Sequence, residues 1–254
     1  MNWIRLVPAL ALTGSSSLAA LARAPASAPL AVENVSWSVV TKTDGSLSLT
    51  LSRNDRNNRS SISKDLPSSI AIDARTLARP GLPVAFSLVR EAGTFACSGA
   101  SAEGRVAGGR CRFAGDATFE RALGERAIGL PDRLRLYDLA ALDVRVAAIG
   151  DLVRSGLPLK SVDDVLPVAA LNVTGDYLRM LATISIRPGT AREAVACRAV
   201  GIDAAFVRGM VAAGYTRLTA QQAIRMRAVG VTPDYAQTMN RVARDGQLAI
   251  GQAR

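Results

Sequence analysis

A motif returns every 29 residues in the second half of the chain, and this period limits the possible folds more than any other feature. Asn172-Val-Thr-Gly-Asp-Tyr177, Gly201-Ile-Asp-Ala-Ala-Phe206 and Gly230-Val-Thr-Pro-Asp-Tyr235 share one register. Leu181, Met210 and Met239 continue it, and Thr190-Ala-Arg-Glu193 matches Thr219-Ala-Gln-Gln222. Ser161-Val-Asp-Asp164 is a weaker match, so units are expected to begin at 143, 172, 201 and 230. The first is degenerate and the last is cut short. A fixed period of this length is the signature of stacked repeats, because one unit cannot bury its apolar face alone.

The physics of one unit is readable. Thr174, Asp203 and Thr232 are N-cap residues, and Pro233 falls at the first helical position, where its missing N–H costs nothing. Gly214 closes the first short helix by allowing the left-handed conformation. Ser161, Thr190 and Thr219 then cap a second helix, and Asp164, Glu193 and Gln222 complete capping boxes three residues later. Tyr177, Phe206 and Tyr235 form an aromatic ladder, expected as packing between units. Two arginine positions also repeat. Arg179 and Arg208 lie on the face away from the aromatic residue, while Arg198 and Arg227 lie in the last turn of the second helix, at the negative end of its dipole. These four are the candidate partner-binding residues, with a structural role for each as the alternative.

The first half reads as short strands. Val35–Thr41 and Ser46–Leu51 flank Asp44-Gly45, which predicts a hairpin with a type I′ turn. Arg53–Ser60 reads as a solvated polar loop. Pro83–Arg90 is a strand with Val84, Phe86 and Leu88 on one face, and Gly99–Gly109 reads as a Gly/Ala/Ser-rich connection between two more strands, Thr94–Ser98 and Arg110–Phe113. The expected fold class is therefore α+β. A β-rich domain (29–131), a meander or small sandwich, precedes a helical repeat domain (132–254), with the boundary near Pro131. Cys97 and Cys111 would face each other across a hairpin and form a disulfide in an oxidising compartment, the alternative being two strand thiols. Cys197 reads as a small buried residue.

Residues 1–28 have the form of an export leader: Arg5, an apolar stretch from Leu6, and Ala26-Ser27-Ala28 as a processing site. An uncleaved anchor is the alternative, although Thr13-Gly14-Ser15 interrupts the apolar run. The mature chain is expected in the periplasm or outside the cell, with no membrane span. The net charge is +10, spread over the chain without a basic tail of the kind that tracks nucleic acid. There is no His and there are three Cys, which rules out Ser-His-Asp chemistry, imidazole zinc sites and four-thiolate metal sites. No cofactor or metal site is expected. The adjacent Asp163 and Asp164 diverge on a helix and do not form a catalytic dyad.

The unit carrying Gly230-Val-Thr-Pro-Asp-Tyr235 and Gly214-Tyr-Thr-Arg-Leu-Thr-Ala-Gln-Gln222 resembles a group of exported bacterial proteins in which a β-rich region precedes such repeats. Similar regions are appended to membrane metallopeptidases of the β-lactam-sensor type. The resemblance covers residues 35–245 and implies a sensory or scaffolding ectodomain more than an enzyme. It implies no peptidase activity, since the zinc motif needs His. Gly201-Ile-Asp also resembles helix-hairpin-helix modules that hold a nucleic-acid phosphate, but Thr174, Asp203 and Thr232 stand where those modules carry Gly. With an export leader, stacked repeats and no catalytic set, the leading expectation is a non-enzymatic exported protein that binds another protein or the cell envelope through its helical repeat face. Nucleic-acid binding and an enzyme of unknown class are the alternatives.

Overall fold

The computed structural model describes residues 31–252, apart from 56, 57, 68, 69, 71, 73 and 105. The expected leader lies outside the described residues. The fold is α+β. Strands β1 (Ala31–Thr41), β2 (Leu47–Asp55), β3 (Asn58–Asp65), β4 (Pro83–Arg90), β5 (Gly93–Ala102) and β6 (Val106–Gly115) form one antiparallel sheet. Its order, β3-β2-β1-β6-β5-β4, joins two three-stranded meanders through the pairing of β1 with β6. A one-turn helix, α1 (Ala74–Leu77), interrupts the β3–β4 connection and buries Leu77.

Alternation along the strands gives the sheet one buried and one exposed face, and among the described residues helices, not a second sheet, cover the buried one. One face carries Val35, Trp37, Val39, Leu49, Leu51, Phe95 and Phe113, all buried. The other carries hydroxyls: Thr50 and Ser63 hydrogen-bond across strands at 2.6 Å, as do Ser52 and Ser61 at 3.0 Å. An antiparallel sheet built this way has one dry and one wet face. The Cys97–Cys111 disulfide joins directly opposite residues of β5 and β6 on the dry face, with a Cα–Cα distance of 4.0 Å. In the chain-entropy picture such a short closed loop is worth about 3 kcal/mol.

Three local expectations are corrected. The β1–β2 turn is not type I′, because Asp44 is not left-handed. The Gly45 N–H donates to the Lys42 carbonyl and only Gly45 has positive φ (+82°), giving a type I turn with a glycine bulge. Asp44 instead accepts from the Ser46 N–H and hydroxyl at 2.9 and 2.7 Å, and the Ser46 hydrogen bonds hold its carboxyl below the usual range. Arg53–Ser60 is not a solvated loop. β2 runs on to Asp55, and Arg53 shares the dry face with Leu51 and is buried. Gly99–Gly109 is mostly strand and not connection, since β5 and β6 extend through most of it. Gly99 and Gly109 stand opposite each other so closely that a Cβ on either would meet the other strand's backbone at 2.0 or 2.1 Å. Trp37 lies in register with Gly109, donates its indole N–H to the Ser98 carbonyl at 3.1 Å and meets Phe86 edge-on at 5.0 Å. The glycine row thus gives the indole room to cross two strands.

The helices fall into two rows. The first row is α2 (Ala117–Glu125), α4 (Val146–Arg154), α6 (Gly175–Ala182), α8 (Ala204–Ala212) and α10 (Pro233–Gln252). The second is α3 (Arg133–Ala141), α5 (Val162–Ala170), α7 (Ala191–Ala199) and α9 (Ala220–Ala228). Each helix packs on the next member of its own row. Starts within each row are 29 residues apart, so the array contains a pair, α2 and α3, ahead of the units read from the sequence. Phe119 and Leu123 hold the aromatic and leucine positions of this extra pair. The expected boundary near Pro131 falls inside it.

Caps follow the same period. Thr174, Asp203 and Thr232 accept from the N–H three residues on, as do Ser161, Thr190 and Thr219. Ser161/Asp164 and Thr219/Gln222 are reciprocal capping boxes. Thr190/Glu193 is only half of one. Glu193 reaches past Thr190 to the Gly189 N–H at 2.7 Å and also meets Gln221 of the next unit at 3.3 Å. Left-handed residues recur at the ends of the second-row helices, at Asp143, Asn172, Gly201 and Gly230, and at the ends of the first-row helices, at Ala127, Gly156, Ser185 and Gly214.

Sheet and array share one buried core, joined at α3. The Tyr137 ring meets Phe95 and Phe113 edge-on at 5.6 and 5.8 Å, and the Arg53 guanidinium lies 5.4 Å over it. Arg53 pairs with Asp138 at 3.6 Å, with side chains 5% and 17% exposed. Burial raises the Asp138 carboxyl's pKa above the usual range despite Arg53 and Arg135, and pushes the Tyr137 phenol up to about 12. Removing one member of such a pair strands the other charge, whereas replacing both is often neutral. Arg53→Met is therefore expected to destabilise by about 3–5 kcal/mol and Arg53→Met/Asp138→Leu by much less, measured by urea unfolding. Equal losses would show that the pair itself carries the junction.

Candidate partner-binding surface

Three of the four repeated arginines are engaged within the molecule. Arg179 on α6 bonds Asp176 at 2.7 Å, Ser155 at 2.8 Å and Asp151 at 3.2 Å, tying its unit to the preceding one. Arg198 on α7 lies 4.9 Å over the Tyr177 ring and donates to the Leu171 carbonyl at 3.3 Å. Arg227 on α9 does the same one unit on, 5.2 Å over Phe206 and 3.2 Å from the Val200 carbonyl. Leu171 and Val200 are the C-caps of α5 and α7, so each guanidinium meets the negative end of the preceding second-row helix and not that of its own. Arg208 is exposed and has no ion pair among the described residues. The acids that hold Arg179, Asp151 and Asp176, become Met180 and Ala205 one period later.

The other reactive side chains are likewise occupied. Cys197 is buried in α7, and burial with Glu193 nearby pushes its thiol up to about 11. The Tyr177 hydroxyl donates to the Ile202 carbonyl at 2.9 Å, and burial holds its phenol well above the ordinary range. Asp163 pairs with Arg135 at 2.8 Å while Asp164 caps α5, so their roles diverge. Among the described residues no group of His, Cys, Asp or Glu has the arrangement to hold a metal ion. A wide recess beside the sheet contains Lys42, Lys64 and Arg90, but these bond Asp65, the Leu142 carbonyl and Asp143. A groove of about 380 Å³ between α4, α5 and α6 has an apolar floor of Ile149, Leu152, Val165 and Val168.

The largest departure from the repeat pattern is at the end of the array. Tyr177 and Phe206 are 6% and 4% exposed, whereas Tyr235 in the same register is 55% exposed. Leu181 and Met210 are fully buried, whereas Met239 is 47% exposed. Val242 and Val229 are also exposed. Here α10 continues as one helix through Gln252 and no second-row partner follows it among the described residues. The sequence carries the signal: Ala243 replaces the left-handed Gly214 position, and Leu248 stands where Thr219 capped a helix. The expectation of packing along the whole aromatic ladder thus fails at Tyr235, where the motif is intact but the helix that would cover it is not.

Comparison with known proteins finds no matching family model, no similar curated protein and no similar solved structure.

If the arginines stitch units together, their contributions should rank by their contacts. Arg198→Ala and Arg227→Ala are each expected to lower unfolding stability by about 1–2 kcal/mol, and Arg208→Ala to change it by less than about 0.5 kcal/mol. The same preparations test Cys197. Its thiol should stay unlabelled by a disulfide reagent at pH 8 in the native state and react once urea unfolds the chain. Labelling of the folded protein would contradict its burial.

Proposed function

We propose that this is a non-enzymatic, exported protein that binds another protein through the open end of its helical array. The observation that carries this reading is the exposed strip of Tyr235, Met239 and Val242, in which Tyr235 and Met239 are in register with residues that are core in the inner units. Apolar side chains gathered on one face mark interaction sites more often than solvent-facing surface. The Cys97–Cys111 disulfide supports export, because such bonds persist where the environment is oxidising. No helix among the described residues is long and apolar enough to cross a membrane. The Asp203 carboxylate accepts the Phe206 N–H at 2.8 Å, placing negative charge where a helix-hairpin-helix module would admit a phosphate, which favours a protein partner over nucleic acid.

The test compares the protein with its Tyr235→Ser/Met239→Ser/Val242→Ser variant, each cross-linked in envelope extract of its own host. These positions are exposed, so the variant should keep its circular dichroism and thermal midpoint. A discrete protein captured by the first and lost by the second is the expected result. Identical capture by both, or no capture by either, would overturn the reading.

A further inference from the structure

Two junctions inside the array show what a second-row helix does on arrival. It lays an arginine over the aromatic ring of its own unit and donates Nε–H to the C-cap carbonyl of the preceding second-row helix. Arg198 does this with Tyr177 and Leu171, and Arg227 with Phe206 and Val200. The same two acceptors recur a third time. Tyr235 is the ring one period beyond Phe206, and Val229 is the C-cap of α9, with φ −95° against −93° at Leu171 and −83° at Val200. Among the described residues no guanidinium lies over Tyr235 and no side chain donates to the Val229 carbonyl.

Resting on the reading that the open end binds a protein, we infer that its partner presents an amphipathic helix bearing an arginine, which docks where a second helix of the last unit would lie. The site is complementary to that cation twice over. An aromatic face attracts a guanidinium, and the carbonyls ending α9 are the negative pole of its dipole. Tyr235, Met239 and Val242, with half-buried Ile224 and Val231, supply the apolar floor that an amphipathic helix needs. The docked surface continues an interface the chain already uses twice in the same register. A second copy of the chain is a poorer occupant, because the helices that carry this arginine, α7 and α9, are already seated.

The probe is a synthetic peptide with the sequence of residues 217–230, which contains α9 and Arg227, held helical by a lactam bridge on its outer face. It is titrated into the isotope-labelled chain and followed by amide chemical shifts. Shifts centred on Val229, Tyr235, Met239 and Val242 are expected. Arg227→Gln in the peptide should weaken binding by about tenfold. In the protein, Tyr235→Phe should preserve binding, since Phe206 fills the same role, and Tyr235→Ala should weaken it comparably. Equal binding of both peptides, or no peptide binding, would overturn the inference. Loss of envelope-protein capture in the triple variant would still uphold the broader reading in either case. Self-association abolished by Tyr235→Ala and not competed by the peptide would assign the surface to a second copy and overturn the inference.

Discussion

Helices α2 to α9 are each eight or nine residues long, well below the length at which an isolated helix is stable in water. Each therefore depends on burying a face against the next member of its row, and everything else in the array serves that stacking. Two reversals per unit must bring the chain back at a fixed angle, and each uses one residue at positive φ. Where that residue is Gly the conformation is free. At Asp143, Asn172, Ser185 and Ala127 it is not, and a left-handed non-glycine residue costs about 1–2 kcal/mol. The stacked helices beside them over-determine these turns. This is how a repeat tolerates sequence decay while keeping its period.

The sheet closes one end of this stack. Its dry face receives α3 through Tyr137, Phe95 and Phe113, and polar contacts surround them. Arg53 reaches Asp138, Arg90 reaches Asp143, and Lys64 donates to the Leu142 carbonyl. Glu91 completes the set. α4 begins at Arg145, which supplies no side-chain cap, and the Glu91 carboxylate accepts the Val146 N–H at 2.8 Å from the turn between β4 and β5. The one first-row helix with a cation at its N-cap position is the one the sheet caps from outside. The sheet and the first units are therefore tied by polar contacts around a shared buried core.

The repeat was legible because it rests on local chemistry. Caps, left-handed turns and the aromatic position are chosen by the backbone within a few residues, so they recur at fixed spacing. The pair α2–α3 is harder to read although Phe119, Leu123 and the caps Asp116 and Asp132 keep the period, because its second helix carries Tyr137 onto the sheet and no longer resembles the Ala-rich later copies. Arg53 and the glycine-rich strands are hard to read for a different reason. A polar or glycine-rich stretch reads as loop until its long-range partners are known: Tyr137 and Asp138 for Arg53, and the Trp37 indole for Gly99 and Gly109. The roles of Arg198 and Arg227 were half legible. Their spacing showed that they repeat, but the carbonyl each one caps belongs to the helix before its own.

The arginines appear where apolar volume runs out. The second-row helices bury Leu136, Tyr137 and Leu139 in α3, then Val165, Leu166 and Val168 in α5, but only Ala191, Ala194 and Cys197 in α7, and Ala220 and Ala223 in α9. Burial of large side chains is the main driving force for such stacking, at about 25 cal/mol per Å² of apolar surface. It thins with distance from the sheet. Ala140 and Ala169 occupy the position that becomes Arg198 and Arg227, so a guanidinium stacked on an aromatic ring replaces lost volume with a directional contact. Stability along the array should then fall toward α10, since regions with few buried apolar contacts open first. The decline in packing thus sets a gradient of local opening that runs from the sheet to the far end of the array.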